Sequence, residues 1–247
     1  MKFIIFFGVL VNGFISPCFA QKLTVGFEPF PPFVTDDGKG LSVDMLRAIE
    51  EISDLTFDIK IMTYARVKKE LKHQRLDLAG HIPKGIEVTS FYQYAQELNW
   101  SILTHTDMFS LSDKYLNVNN QSGVNVATTV GNTGFIAELM GKAPSSFIEV
   151  SLLNQLVEML LKDRVKVIVY ERASVMTLLE NKGIEGVLYK TVGITPITLA
   201  VQKSADGNKL KEKLDSLIKK IDIQKIFANY FRFNQLESEG VTRIENH

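Results

Sequence analysis

Two charged side chains stand at positions where they could hold a small charged ligand. Arg66 lies in the first turn of a predicted helix, and its planar guanidinium can donate parallel hydrogen bonds to a carboxylate. Glu171 follows an apolar strand and begins a helix, at the strand end where the clefts of α/β proteins open. Both are therefore candidate ligand-binding residues. The alternatives are a surface arginine paired with an acidic neighbour, and a glutamate that only stabilises the dipole of its own helix.

Aromatic and hydroxyl side chains accompany these charges. Phe30 and Phe33 lie in a proline-rich loop, so their rings would hold their positions as an apolar wall under a ligand. Ordinary core packing is the alternative. The turn 131–134 places backbone amides and the hydroxyl of Thr133 at a helix start, which suits a carboxylate or phosphate oxygen but is also a routine packing turn. Tyr170 either lines the cleft or only finishes its strand.

The elements that would position these residues alternate between strand-like and helix-like patterns, which favours an α/β fold with mainly parallel sheets. The predicted strands are 22–26, 57–62, 77–80, 125–130, 165–170 and 195–202, with a β-prone region at 97–109. The predicted helices are 41–52, 64–73, one opened by 131–134, one running from Ser151 as N-cap to Leu161, one beginning at Glu171, 208–221, and a short one ending near Tyr230. The tail 234–247 is polar, and we expect it to be frayed.

The first twenty residues are typical of a secretory signal. A basic Lys2 precedes an apolar run from 3 to 15, and small Cys18 and Ala20 stand before the expected cut. We predict cleavage after Ala20 and export to the periplasm. The run is short for a membrane span, so an uncleaved anchor is the less favoured alternative. Pro17 argues against lipid modification of Cys18, which is the only cysteine.

Composition and motifs exclude several classes of function. The chain has 28 basic and 28 acidic residues with no basic stripe, so nucleic acid and anionic membrane are poor candidate partners. Its four histidines show no metal-ligand spacing, and no P-loop or Ser/His/Asp order appears. We therefore predict no catalytic residue, no metal and no cofactor, and we expect a monomer.

In their order and spacing these features resemble the extracellular solute-binding proteins of the amino-acid type (family 3, periplasmic binding proteins with the type II two-lobed fold). The resemblance covers essentially residues 22–233. It rests on the loop Phe30-Pro31-Pro32-Phe33, Gly40 with Val43-Asp44, the run Tyr64-Ala65-Arg66 through Leu71, Leu76-Asp77-Leu78, the turn Val130-Gly131-Asn132-Thr133-Gly134, the strand from Arg164 to Glu171, and the closing helices from Leu210 to Phe231.

The resemblance implies two Rossmann-like α/β lobes with mainly parallel sheets joined by hinge strands. Lobe 1 would hold 22–103 plus 194–233 and lobe 2 would hold 104–193, followed by the polar tail. The hinge strands would lie near Leu103–Thr106 and Val192–Thr198, and the ligand would bind between the lobes as they close. A small polar solute would then be delivered to a membrane transporter permease or a sensor.

The resemblance also implies roles for single residues. Glu171 stands where the family binds the ammonium group of its ligand, and Tyr64 matches the aromatic position of the family's second helix. The arginine that clamps the ligand's α-carboxylate in the family is replaced here by Gly85. Lys84 or Arg66 would have to substitute for that arginine in part, and His81 would donate a hydrogen bond.

Two other functions remain open at this point. One is a periplasmic enzyme on the same fold, similar to a cyclohexadienyl or arogenate dehydratase, with Glu171 or His81 as the acid/base. The other is a degenerate domain that signals through protein contacts and has lost its small ligand. This alternative is suggested by Gly85, which stands at the position of the family's carboxylate-clamping arginine.

Overall fold

The computed structural model describes residues 21–117 and 123–244. The predicted signal segment 1–20 lies outside the described residues. Within the described ranges no helix is both long and apolar enough to cross a membrane.

The first half of the chain alternates strand and helix, as predicted. Its elements are β1 (Gln21–Phe27), α1 (Leu41–Glu51), β2 (Leu55–Ile61), α2 (Tyr64–Lys72) and β3 (Leu78–Pro83). β1 lies between β2 and β3 and is parallel to both. α1 buries Val43, Leu46 and Ile49, which recur at helical spacing on one face. These elements form the first lobe.

The second half repeats this architecture. Its elements are β6 (Val126–Thr129), α3 (Thr133–Met140), β7 (Phe147–Val150), α4 (Leu153–Leu161), β8 (Val167–Glu171) and α5 (Arg172–Asn181). β6 is parallel to β7 and to β8, and β8 is buried along its whole length. Such continuous burial is typical of a strand covered by helices on both faces. These elements form the second lobe.

Two long antiparallel strands, β5 (Ile102–Ser110) and β9 (Leu188–Gln202), connect the lobes. β9 pairs with β3 through 197–201, and β5 pairs with β8 through 106–109. The short β4 (Ala95–Glu97) also pairs with β9. The strand order is β2-β1-β3-β9-β5-β8-β6-β7. The fold class is therefore the predicted one: two Rossmann-like lobes with mainly parallel sheets, joined by hinge strands.

The C-terminal segment is ordered, which corrects the expectation of a frayed tail for residues 234–244. After α6 (Ala205–Ile218), α7 (Ile223–Ile226) and α8 (Phe231–Asn234), strand β10 (Glu239–Val241) pairs with β9 at Leu188–Lys190. The Oγ1 of buried Thr242 accepts a hydrogen bond of 3.0 Å from the Val187 amide. This polar segment is held by the edge of β9, and the hydropathy of the segment itself does not reveal that edge.

The start of α4 is a second correction. Ser151 is predicted as the N-cap, but the helix begins at Leu153, and Leu152 occupies the cap position without a side-chain hydrogen bond. The strand β7 runs to Val150, and extended backbone continues through Leu152. The helix consequently begins one residue later than a serine cap would place it.

Candidate functional site

A small buried cavity lies where the carboxyl ends of parallel strands from both lobes converge. Glu28 follows β1, His81 lies in β3, Asn132 follows β6, and Glu171 ends β8. The cavity has a volume of about 30 Å³. Its full lining is Glu28, Phe30, His81, Pro83, Thr104, Thr106, Asn132, Phe135, Ile136, Tyr170, Glu171, Thr195 and Ile197. Both lobes and both connecting strands therefore contribute to one site.

Phe30 forms the aromatic wall of this cavity. Its ring stacks on Phe33 with centroids 5.2 Å apart, and it meets Tyr170 edge-on at 5.7 Å. Phe33 does not line the cavity; it is fully buried and packs against Tyr230 at 4.6 Å. The loop thus places one predicted ring at the site and the other behind it, where core packing holds the first ring in place.

His81 is buried among aromatic rings and stays neutral. Its Nε2 lies 2.7 Å from the Ser42 hydroxyl, while Nδ1 has no hydrogen-bond partner among the described residues. The rings of Phe27 and Phe30 lie 5.1 Å from it. Burial lowers the pKa of His81 to about 3, because no neighbouring charge offsets the lost hydration of an imidazolium.

Glu171 caps its own helix with one carboxylate oxygen and leaves the other in the cavity wall. Its Oε2 caps α5 by accepting hydrogen bonds from the Ser174 amide at 2.7 Å and from the Ser174 hydroxyl at 2.8 Å. Its Oε1 is buried in the cavity wall and lacks a hydrogen-bond partner within the part of the chain that the structure describes. Burial raises the pKa of Glu171 to about 7, against the hydrogen bonds from Ser174. One oxygen is thus used by the helix and the other is free for a ligand.

Glu28 is a second buried acid of the cavity, and the sequence analysis does not single it out. The Asn132 amide donates to both of its oxygens, at 3.3 and 3.4 Å. Burial raises the pKa of Glu28 to about 7, although the Asn132 amide, the nearby Tyr170 hydroxyl and the charge of Lys68 lower it. The signal that marks it is the one used for Glu171: an acid directly after a buried strand.

The Tyr170 hydroxyl is near enough to both acids for their charges to act on it. It is close to Glu28 and Thr129, yet it makes no hydrogen bond of ordinary geometry to any described residue. Burial raises the pKa of Tyr170 well above its usual value, so the hydroxyl keeps its proton. Tyr170 therefore lines the cleft, and its hydroxyl is available to a ligand.

Three other predicted site residues lie outside the cavity. Thr133 is buried, but its hydroxyl donates to Glu149 of β7 within its own lobe, while the preceding Asn132 faces the cavity. The Arg66 side chain is 67% exposed, with Nε 3.8 Å from Glu70 Oε1. Tyr64 is fully buried and donates a 2.6 Å hydrogen bond to Glu87.

The outer mouth of the cleft forms a separate groove of about 330 Å³. It shares Phe135 with the inner cavity, and it is lined by Lys68, residues 85–89, Gly131, Gly134, Phe135 and Glu138. Gly85 has no atom within 4 Å of where a Cβ would stand, so the position of the missing arginine is open space. Lys84 does not fill it, because its ammonium donates to the Asn99 carbonyl at 2.6 Å.

Lys68 bridges the lobes at this mouth. Its ammonium is 3.1 Å from Glu87 Oε1, 4.3 Å from the centre of the Tyr64 ring, and 3.2 Å from the carbonyl oxygen of Gly131 in the second lobe. Gly131 has φ of +92°, and a Cβ there would lie 2.7 Å from the Ala65 backbone nitrogen. The lobes are therefore in direct contact at this point.

A buried ion pair braces the second lobe behind Glu171. Arg172 donates to Asp107 of β5 at 2.6 Å, to the Thr191 hydroxyl of β9 at 2.6 Å, and to the carbonyls of Phe233 and Leu236 at 3.2 and 3.1 Å. Both charged side chains are fully buried. Arg172 thus ties α5 to a connecting strand and to the C-terminal segment.

A larger cavity of about 420 Å³ lies elsewhere, between α5, the start of β9 and the C-terminal segment. Its walls include Leu179, Tyr189 and Phe233, and none of the eight predicted site residues lines it. The smaller inter-lobe cavity is the candidate site because it gathers unpartnered polar atoms from both lobes. No group of metal-binding side chains occurs within residues 21–117 and 123–244.

No protein-family model matches the sequence. No curated protein is significantly similar to it. Solved structures nevertheless share the fold at low identity. A substrate-binding protein of an ABC uptake transporter from Streptococcus pneumoniae, with bound histidine, aligns at a TM-score of 0.71 and 16% identity over 85% of this chain and 92% of that one.

Two further structures align with similar coverage. The arginine-, lysine-, histidine-binding protein of Geobacillus stearothermophilus gives a TM-score of 0.69 and 17% identity over 88% of this chain and 96% of its own. A histidine kinase sensor domain with similarity to periplasmic binding proteins gives a TM-score of 0.68 and 15% identity over 87% of this chain and 95% of its own. These neighbours are binding or sensing proteins rather than enzymes. At such identities they establish the type II two-lobed fold of the periplasmic binding proteins, as predicted.

Proposed function

We propose that this chain, which has the type II periplasmic binding-protein fold, is an exported protein that captures a small polar, amino-acid-like solute between its lobes. It delivers that solute to an ABC-type transporter or a sensor. The observation that carries the proposal is the cavity shared by both lobes, in which the buried Glu171 Oε1 has no partner among the described residues. An unsatisfied buried acceptor is costly, and a ligand donor would satisfy it.

Closure on the ligand would be a hinge motion of the two connecting strands. We place the hinge at Leu103–Thr106 and Val192–Thr198, so that lobe 1 takes 22–103 plus 194–233 and lobe 2 takes 104–193. A register shift between Thr106 and Asp107 in the pairing of β5 with β9 supports this placement. Irregular pairing weakens the ladder at the point where the strands must bend.

The ligand contacts would come from four of the predicted residues. Phe30 would form the apolar wall, and His81, Tyr170 and Glu171 would supply the polar atoms. Each of these three polar side chains has one buried atom without a hydrogen-bond partner in the part of the chain that the structure describes. Phe33 and Tyr64 would support the site from the core.

A thermal-shift screen tests the proposal. The mature protein is heated with amino acids, amines, organic acids and oligopeptides. A ligand at about one hundred times its Kd adds about 2.7 kcal/mol. For a chain of this size the Tm then rises by about 5–10 °C. Glu171→Gln should reduce the rise, while Glu212→Gln, on the exposed face of α6, should retain it. No rise with any compound would overturn the proposal.

A second candidate function is a domain that signals without a small ligand. The observation that favours it is closure by the protein's own contacts: Lys68 reaches the Gly131 carbonyl, Asn132 reaches Glu28, and only about 30 Å³ remains. Small-angle scattering separates the two functions. A radius of gyration and a Tm that no compound changes would favour the ligand-free domain.

A further inference from the structure

The polar lining of the inner cavity is acidic and has no cationic side chain of its own among the described residues. Glu28 and Glu171 contribute two carboxyl groups, and Thr104, Thr106 and Thr195 contribute hydroxyls. The imidazole of His81 is neutral, as its burial among aromatic rings requires. Unpaired buried carboxylates are unfavourable, so each takes up a proton or gains a cationic partner.

We propose that the ligand of this cavity is a primary amine, bound as its ammonium ion, that carries no carboxylate of its own. This inference rests on the proposed solute-binding function and narrows its ligand class. The ammonium group would lie between Glu28 and Glu171 and would give both buried carboxylates a cationic partner.

Three unpartnered atoms in the cavity wall match the three N–H donors of an ammonium group. They are His81 Nδ1, the Tyr170 oxygen and Glu171 Oε1, each more than nine-tenths buried and without a hydrogen-bond partner in the described chain. All three can accept a hydrogen bond when His81 donates from Nε2 to Ser42. The cavity volume of about 30 Å³ is enough for one group of the size of a water molecule or an ammonium ion.

A ligand carboxylate has no comparable place. The position of the carboxylate-clamping arginine is Gly85, which leaves open space. The ammonium of Lys68, in the outer groove, is already bound by Glu87 at 3.1 Å and by the Gly131 carbonyl. A ligand carboxylate in the inner cavity would lie beside the carboxylates of Glu28 and Glu171. Negative charges close together in a buried site repel one another strongly.

The geometry also limits the size of the amine. The inner cavity holds the ammonium group and little more, whereas the outer groove offers about 330 Å³ beyond the Phe135 ring that the two spaces share. A short alkyl chain passing Phe135 would leave the head group between the acids and its other end in the groove. Short alkylamines and diamines fit this description.

Calorimetric titration with matched pairs tests the inference: ethylamine against L-alanine, putrescine against L-ornithine, and cadaverine against L-lysine. In at least one pair the amine is expected to bind about tenfold tighter than the amino acid, because the amino acid would bury a carboxylate that has no cationic partner in the inner cavity. If every amino acid that binds does so more tightly than its amine, the inference fails while the solute-binding function stands. If no member of any pair binds but another solute does, the inference fails in the same way; if nothing binds at all, both fail.

Variants assign the binding to these atoms. Glu171→Gln keeps an oxygen to cap α5 but loses the charge, and Tyr170→Phe removes only the unpartnered hydroxyl, so it should fold normally. Each is expected to weaken amine binding by about tenfold. Glu212→Gln removes a charge from the exposed face of α6, outside both the inner cavity and the outer groove, and should leave the affinity within about twofold. Equal affinity for all three variants would overturn the inference.

Discussion

Glu171 uses its two carboxylate oxygens differently. Oε2 accepts two hydrogen bonds from Ser174 at the start of α5, and Oε1 lies unpartnered in the cavity wall. Burial with the nearby Asp107 charge outweighs the cap and raises its pKa to about 7. In the folded protein this carboxyl group therefore binds a proton across part of the neutral range, while the same group in the unfolded chain has lost it.

A pH-dependent stability follows from this difference. Between pH 4.5 and about 7 the folded Glu171 binds a proton and the unfolded one does not. The free energy of unfolding therefore falls as the pH rises through this window, by at most about 1.4 kcal/mol per pH unit. Glu171→Gln does not titrate there. We expect the stability of the native chain, relative to this variant, to decline from pH 4.5 to 7 in urea unfolding.

Other titrating groups near the site are present in both proteins. Burial also raises the pKa of Glu28 to about 7, so Glu28 adds a loss of stability over the same pH window to both proteins. His81, whose pKa is lowered to about 3, contributes stability that is lost as the pH falls from 6.5, but it does so in both proteins. Tyr170 and Tyr230 stay protonated throughout, since burial raises the pKa of each. Glu138→Gln serves as the control and should run parallel to the native chain. If the free energy of unfolding of Glu171→Gln had the same pH dependence as that of the native chain, the raised pKa of Glu171 would be contradicted.

The sequence could identify part of the site because strand ends point into clefts. Tyr170, Glu171 and Phe30 all follow this rule and line the cavity. The sequence could not predict which of two neighbouring side chains faces the cleft at the point where a helix begins. At α3 the cavity receives Asn132, while Thr133 turns to Glu149.

At the scale of the element, α2 shows why Arg66 stands apart. Tyr64, Val67 and Leu71 are buried and fix the helix face that packs on the sheet. Lys68 lies one turn from Tyr64 and reaches the cleft mouth, whereas Arg66 is turned to the solvent. The spacing of apolar residues predicted the helix, but only the packing set its rotation.

The C-terminal strand illustrates a different limit. β10 has three residues, and it exists because β9 offers an edge at Leu188–Lys190. The sequence analysis predicted only 195–202 as strand, so the first half of β9 and therefore its partner were missed. Arg172 adds a second tie, through the carbonyls of Phe233 and Leu236. Both ties are long-range contacts that local patterns do not contain.

The buried pair under α5 gives an element-scale prediction. Arg172→Leu leaves Asp107 buried without its partner, so we expect a loss of about 3–5 kcal/mol in the free energy of unfolding. The double variant Arg172→Leu/Asp107→Leu removes both charges and should recover part of that loss. Urea unfolding of the two single variants and the double variant measures the coupling. Additive losses would show that the pair does not act as a unit.

At the scale of the whole molecule, the contacts between described residues of the two lobes include hydrogen bonds from Lys68 and Asn132 and one close backbone approach. Lys68 donates to the Gly131 carbonyl at 3.2 Å, and Asn132 donates to Glu28 at 3.3 Å. Between them, Gly131 lies against the Ala65 backbone. Because this contact depends on the absence of a side chain, it offers a way to oppose closure without touching the cavity.

Gly131→Ala is expected to shift the protein towards an open cleft. The added Cβ would lie 2.7 Å from the Ala65 nitrogen, and the φ of +92° adds strain that opening does not relieve. Gly134→Ala is the matched control, since a Cβ there meets only Val88, at 4.0 Å. Small-angle scattering should give a larger radius of gyration for Gly131→Ala than for Gly134→Ala. Equal radii would mean that Gly131 and Ala65 are not in contact in solution, because backbone strain alone would lower stability without separating the lobes.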